Sequence, residues 1–254
     1  MIRITPHNFT NDFTENGDTM THVLFVVSAA DHWTLNDGSL HPTGYWAEEL
    51  AEPHRLFTAA GWQISIATPG GVAPTIDAVS LRADAAGGED RAAQIIDYIG
   101  TISSQLDEPL SLDDITVADY DVVFYPGGHG PMEDLAVDAV SGSILTEALD
   151  TGRILGVLCH APAALLAAQR ADGSWPFTGY RMTGFTDAEE VLGGLAPKAP
   201  WLVQTRLVEL GADFIAGESF APHMEIDRNL YTGQNPASSG ALAEAIIAAV
   251  AEKI

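Results

Sequence analysis

Arg153-Ile-Leu-Gly-Val-Leu-Cys159-His160-Ala-Pro162 is the stretch on which the reading of this chain turns. An apolar run of that length, closed by a proline near a first helical turn and followed by an Ala/Leu-rich stretch, predicts strand, sharp turn and helix. Such a turn lifts one side chain to the mouth of a parallel sheet, where doubly wound folds place their ligands. The side chain in question is the only cysteine of the chain. A thiol there meets the positive end of a helix dipole and has His160 beside it, and both favour the reactive thiolate. A free cysteine is more commonly a buried small hydrophobe. The position at a strand end argues for a nucleophile instead.

The same alternation extends outward. His22-Val-Leu-Phe-Val-Val-Ser-Ala29 is a continuous apolar run, the pattern of a strand buried on both faces. A helix is predicted from about Tyr45 to Ala60, ended by Gly61, and Trp62–Thr68 follows as a strand. Tyr120–Tyr125 reads as strand, Pro126-Gly-Gly-His-Gly130 as turn, and the next helix runs to about Asp150. Short strands are expected around Arg181–Phe185, Ala212–Ala216 and Asn229–Thr232, and a last helix over Ala237–Lys253. Repeated β-α alternation implies an α/β fold, a mainly parallel sheet sandwiched by helices. We read residues 1–254 as a single domain, with 1–20 as a polar N-terminal arm and about 72–119 as an insertion or lid.

Composition narrows the function classes. One cysteine rules out an intrachain disulfide framework and a multi-cysteine zinc site, and suits a reducing interior. The first residues show no long apolar signal region, and no apolar stretch approaches membrane-span length, so a cytoplasmic protein is expected. The net charge is −24, from 35 acidic and 11 basic residues, with Lys198 and Lys253 the only lysines. That balance argues against a nucleic-acid groove or an anionic membrane surface as partner. It also suggests adaptation to high salt, since a self-repelling acidic surface benefits from screening. Unfolding stability should then rise in molar potassium chloride. Equal stability in low and molar salt would remove the idea.

Five segments carry a family resemblance: Thr43-Gly-Tyr-Trp-Ala-Glu-Glu-Leu-Ala-Glu-Pro53, Gly127-Gly-His-Gly130, Val157-Leu-Cys-His-Ala-Pro162, Thr183-Gly-Phe-Thr-Asp-Ala-Glu-Glu190 and Thr232-Gly-Gln-Asn-Pro-Ala-Ser238. With these in order, the chain resembles the ThiJ/PfpI superfamily, of the flavodoxin-like, class I glutamine-amidotransferase-like fold. Within it the chain looks most like the glutathione-independent glyoxalase III and heat-shock chaperone branch. The resemblance implies Cys159 as nucleophile, His160 as its partner, Glu49 as the acid facing the thiol, and Glu190 as the acid orienting the histidine. It further implies an oxyanion pocket from the amides of Gly128 and His160. By motif position, His129, Tyr45, Trp46 and Phe185 should wall a pocket for a small aldehyde.

Neighbouring residues compete for two of these roles. Glu48 and Glu49 sit about 100° apart on a helix, so only one can face the thiol, and Glu189 and Glu190 pose the same choice. The Gly127–Gly130 turn lacks the full glycine-rich phosphate fingerprint and its following acid. His41, His54, His129 and His223 are scattered without paired ligand spacing, so no catalytic metal is expected, and the resemblance implies chemistry that needs no cofactor. Most of these histidines read as ordinary loop or surface residues.

The activity implied is conversion of 2-oxoaldehydes to 2-hydroxy acids through a cysteine hemithioacetal, the chemistry of a glyoxalase III or D-lactate dehydratase. The alternatives are protein deglycation, a cysteine amidase or peptidase, and a non-enzymatic stress chaperone that holds unfolded clients. Homodimers are common in the superfamily.

Overall fold

The computed structural model describes residues 20–252. The expected N-terminal arm lies almost wholly outside them. The apolar runs become the centre of a seven-stranded sheet: β1 (His22–Val26), β2 (Gln63–Thr68), β3 (Leu110–Ser111), β4 (Val122–Tyr125), β5 (Ile154–Leu158), β6 (Met224–Asp227) and β7 (Leu230–Gly233). Their spatial order is β6-β7-β5-β4-β1-β2-β3, and all neighbours are parallel except the β6–β7 pair.

Alternate side chains of each central strand enter two separate cores, as the two-residue period of a strand requires. Leu24, Val26, Val123, Tyr125, Leu155 and Val157 pack on one face, against α3 (Ala139–Asp150) and α5 (Val203–Glu209). Val23, Phe25, Val122, Phe124, Ile154 and Leu158 pack on the other, against α1 (Ala47–Ala59), α2 (Glu89–Thr101) and α6 (Ser239–Ala251). A sheet buried on both faces needs the near-continuous apolar strands seen in the sequence.

Three local features depart from the sequence reading. The residues after Cys159 form a 3-10 helix over Ala161–Ala167, where an α-helix was expected. The polar loop after β1 carries a small hairpin, His32–Thr34 against Leu40–Pro42. The short strands at Arg181–Met182 and Asp213–Phe214 pair with each other, apart from the main sheet. Between residues 72 and 119 the chain forms α2 and returns to the main sheet as β3, parallel to β2.

This topology positions the site. Moving outward from the sheet centre, chain order reverses between β1 and β4, and the loops leaving the C-terminal ends of the parallel strands meet beside that switch point.

Candidate active site

Cys159 follows the last residue of β5 and has φ +62°, a left-handed conformation that non-glycine residues rarely adopt. Two hydrogen bonds hold it there: its N–H donates to the Gly233 carbonyl at 2.9 Å, and its carbonyl accepts the Phe185 N–H at 2.7 Å. A strained strand-to-helix turn of this kind presents its side chain at the top of the sheet.

Glycines let the neighbouring loops come close. A Cβ on Gly127 would meet the Leu158 carbonyl oxygen at 2.5 Å, Glu49 Oε2 at 2.7 Å and the Cys159 Cβ at 2.8 Å. Gly128 has φ +98°, and its N–H is directed at the Cys159 sulfur.

Of the paired glutamates on α1, Glu48 pairs with Arg91 at 3.0 Å and borders the cavity of the site, while Glu49 is fully buried and is not among the residues lining it. Glu49 Oε2 accepts the Gly127 N–H at 2.8 Å. Its other oxygen has no hydrogen-bond partner among the described residues, and the carboxyl group as a whole stands close enough to the Cys159 thiol for each to shift the other's ionisation. Burial pushes the Glu49 pKa up to about 8, against the smaller pull of the thiol and the Gly127 amide.

Burial and then the Glu49 charge likewise push the Cys159 thiol well above its ordinary range, and the Gly128 amide offsets only part of this. The expectation of a resting thiolate is therefore corrected. The chain beyond the cysteine is a short 3-10 turn rather than an α-helix, and an acid rather than a cation sits beside the sulfur.

His160 Nδ1 lies 3.3 Å from Cys159 Sγ, and His160 Nε2 lies 2.7 Å from Glu190 Oε2. Burial and the neighbouring His129 lower the His160 pKa to about 4, outweighing the pull of Glu190. The ring is then neutral at pH 7. With its proton on Nε2, donated to Glu190, it leaves a bare Nδ1 facing the thiol. Burial alone would raise the Glu190 pKa, but hydrogen bonds from His129 and His160 hold it well below the usual carboxylate range.

Glu189, its neighbour on α4 (Asp187–Gly193), does other work. It accepts from the Thr186 amide and hydroxyl, the Phe220 N–H and Asn235 Nδ2, at 2.7 to 2.9 Å. Adjacent carboxylates thus clamp two segments, Glu190 through His160 and Glu189 through the loops carrying Phe220 and Asn235. Glu189→Ala would strand these donors and should cost about 2 kcal/mol. Thermal unfolding should record this as a fall of roughly 4–8 °C.

Cys159, His160, Glu190, Gly128, His129, Trp46 and Phe185 all border a cavity of about 700 Å³. Tyr45 does not. Its side chain is 1% exposed and packs in the core beneath α1, so its place as a pocket wall is corrected. Trp46 brings a buried indole N–H with no partner among the described residues. His41, read as an ordinary histidine, Asn235 and Phe220 also border the cavity, and none of the three had been assigned to the site. Asn235 lay in the Gly-Gln-Asn-Pro segment already singled out, whereas nothing local marked Phe220. His54, read as an ordinary histidine, is buried and bonds Tyr98 Oη at 2.9 Å. His129 joins His160 and Glu190 in one cluster, which linear spacing had concealed.

A model of the DJ-1/PfpI family matches residues 41–249. The chain belongs to the DJ-1/PfpI family. It is 30% identical over 233 residues to the protein/nucleic acid deglycase HchA of Pseudomonas aeruginosa (strain UCBPP-PA14), covering 87% of this chain and 77% of that protein. HchA of Staphylococcus aureus (strain N315) is 29% identical over 231 residues, with 87% and 76% covered. Among solved structures, glyoxalase III from Candida albicans superposes with TM-score 0.76 at 26% identity, covering 91% of this chain and 97% of that one. The Rapid Encystment Protein 24 kDa of Francisella tularensis gives TM-score 0.80 at 26% identity, covering 91% and 99%.

The HchA proteins and the Candida albicans protein are enzymes by name, deglycases and a glyoxalase III. The HchA name includes nucleic acid among its substrates, which runs against the expectation, drawn from charge alone, that nucleic acid is excluded. Among the described residues, no helix is long and apolar enough to cross a membrane.

Proposed function

We propose that this protein converts 2-oxoaldehydes such as methylglyoxal to 2-hydroxy acids without a cofactor, as a glyoxalase III. The observation that carries the reading is the buried Glu49 carboxyl, with one oxygen held by Gly127 and the other left for the thiol's surroundings. Amide hydrolysis needs a nucleophile, a base and an oxyanion pocket. An additional proton carrier at the sulfur suits an isomerisation better.

In the first step Cys159 sulfur bonds to the aldehyde carbon, and the thiol proton passes to the carbonyl oxygen through the adjacent base, giving a hemithioacetal. Glu49 as carboxylate then takes the hydrogen from the first carbon. The electron pair forms an enediolate with the neighbouring carbonyl, whose oxygen takes up the proton that the hydroxyl on the first carbon gives up, and Glu49 returns its proton to the second carbon. The product is a thioester of a 2-hydroxy acid. Water adds to it, the C–S bond breaks, and the thiol is regenerated. His160, oriented by Glu190, handles the proton at sulfur and on the attacking water. The Gly128 and His160 amides serve the developing oxygen charge.

Purified protein given methylglyoxal alone, without glutathione, nicotinamide or added metal, should yield D-lactate. A Cys159-bound adduct, with the mass of one methylglyoxal added, should be visible by mass spectrometry after rapid acid quenching. Lactate formation that depends on glutathione would overturn the reading.

A second reading is favoured by cavity size. About 700 Å³ is ample for a triose and leaves room for a carbonyl adduct on a larger amine, as the HchA names suggest for those relatives. Release of free amine from a glycated peptide, faster than spontaneous reversal and dependent on Cys159, would establish deglycation as a further activity.

A further inference from the structure

Three side chains from three separate segments bring donor atoms together in the cavity wall. His129 Nε2 lies 3.1 Å from Glu190 Oε1, and His160 Nε2 lies 2.7 Å from Glu190 Oε2. One nitrogen or oxygen from each residue falls within 4.8 Å of the others. Each ring is held on its flank. His129 stacks on Trp33 with centroids 5.2 Å apart, and His160 stacks on Phe185 at 4.2 Å. Both Nε2 atoms are therefore aimed at the same carboxylate and cannot swing away without breaking a stack. All three residues border the cavity, which leaves a fourth direction open.

Two imidazoles and one carboxylate with an open fourth position make a donor set that zinc accepts. Zinc holds nitrogen and oxygen at about 2.0–2.2 Å in a tetrahedron, which sets its donors roughly 3.3–3.5 Å apart. Glu190 Oε2 already lies 3.4 Å from His129 Nε2, so admitting an ion asks mainly that His160 Nε2, now 2.7 Å from that oxygen, draw back by about 0.6–0.8 Å, within reach of side-chain adjustment.

We propose that His129, His160 and Glu190 form an inhibitory site for a borderline-soft divalent cation, Zn²⁺ or its analogue Co²⁺. A metal on His160 Nε2 moves the ring proton to Nδ1. The nitrogen that faced the thiol as an acceptor at 3.3 Å then becomes a donor. The carboxylate that oriented the ring is taken up as a metal ligand. The thiol loses its base, and turnover stops until the ion leaves. The inhibitory consequence rests on the role proposed for His160, whereas the site itself rests on geometry alone.

The test separates the two. Co²⁺ is titrated into Cys159→Ser protein and followed by visible absorption, with no substrate present. One equivalent should give the d–d bands of a four-coordinate ion. Adding His129→Gln or Glu190→Gln to the Cys159→Ser background should abolish them, with thermal unfolding recorded on each protein. Should His129→Gln not fold, His129→Asn reads the same contact. In the protein with its thiol intact, Zn²⁺ should suppress turnover and a chelator should restore it. His129→Gln should raise the half-inhibiting concentration by about tenfold or more over its own uninhibited rate. A cobalt spectrum that survives loss of His129, or one that requires the thiol and shows sulfur-to-cobalt charge transfer, overturns the site. Cobalt binding without effect of zinc on turnover overturns only the inhibitory role.

Discussion

Glu49→Gln should lower the turnover of methylglyoxal by about 10³-fold, within the 10²–10⁴ range of a positioned acid–base group. Cys159→Ala should reduce it to background. The two variants should fail at different steps. Without the thiol no adduct forms. In Glu49→Gln the thiol can still add to the aldehyde, so a hemithioacetal should accumulate in place of the thioester, releasing methylglyoxal on dilution where the thioester would release lactate. The side-chain amide of that variant would keep an oxygen for the Gly127 N–H, so the loop after β4 should hold its place. A Glu49→Gln enzyme with more than about a tenth of the native rate would remove Glu49 from the mechanism.

The same carboxyl sets a pH dependence. Unfolded, Glu49 ionises near its ordinary 4.5, and folded near 8. Between those values the unfolded chain releases a proton that the folded chain retains. The stability associated with Glu49 is therefore full below pH 4.5 and lost as pH rises toward 8, at about 1.4 kcal/mol per pH unit at most. Denaturant unfolding of the native protein should lose stability over this window. The slope should be flatter in Glu49→Gln, whatever the variant's absolute stability. Activity should run the opposite way, because abstraction needs the carboxylate: kcat/KM should climb as pH approaches 8. That limb belongs to the coupled Glu49–Cys159 pair rather than to one residue.

Strand positions were legible in the sequence because burial on both sheet faces leaves apolar runs that no other element of that length explains. The Cys159 turn was legible because such a run ended at Cys-His-x-Pro. The choice of Glu49 over Glu48 came from the family register, since periodicity alone leaves both near the boundary of the face of α1 that packs on the sheet. Two things were not legible. The protonation of the thiol depends on what surrounds it in space, and the neighbour that matters most is 110 residues away in the chain. The His129–Glu190–His160 cluster unites two residues from turns and one from α4, and their spacing carries no regular signal. Tyr45 and Trp46 show the limit of motif position, since adjacent residues send one side chain to the core and the other to the cavity.

Gly128→Ala should be the most destabilising of the single changes at the site. A Cβ there would lie 2.4 Å from the Gly44 carbonyl oxygen and 2.7 Å from the Trp46 amide nitrogen. Both are backbone atoms, so no flexible side chain can move aside. Gly44 has no room either, because its own Cβ position is filled by the Thr75 carbonyl oxygen at 1.9 Å. The φ of +98° adds a backbone penalty of about 1–3 kcal/mol for any residue with a Cβ. With the overlap included, a loss of about 4 kcal/mol is expected, or a fall in Tm of roughly 8–16 °C. The displaced loop carries the amide aimed at sulfur, so turnover should fall even in the fraction that folds. Correcting the rate for folded protein separates the effects. A Gly128→Ala enzyme with native Tm would show that the loop can open, and one with native turnover per folded molecule would show that its amide has no part in the chemistry.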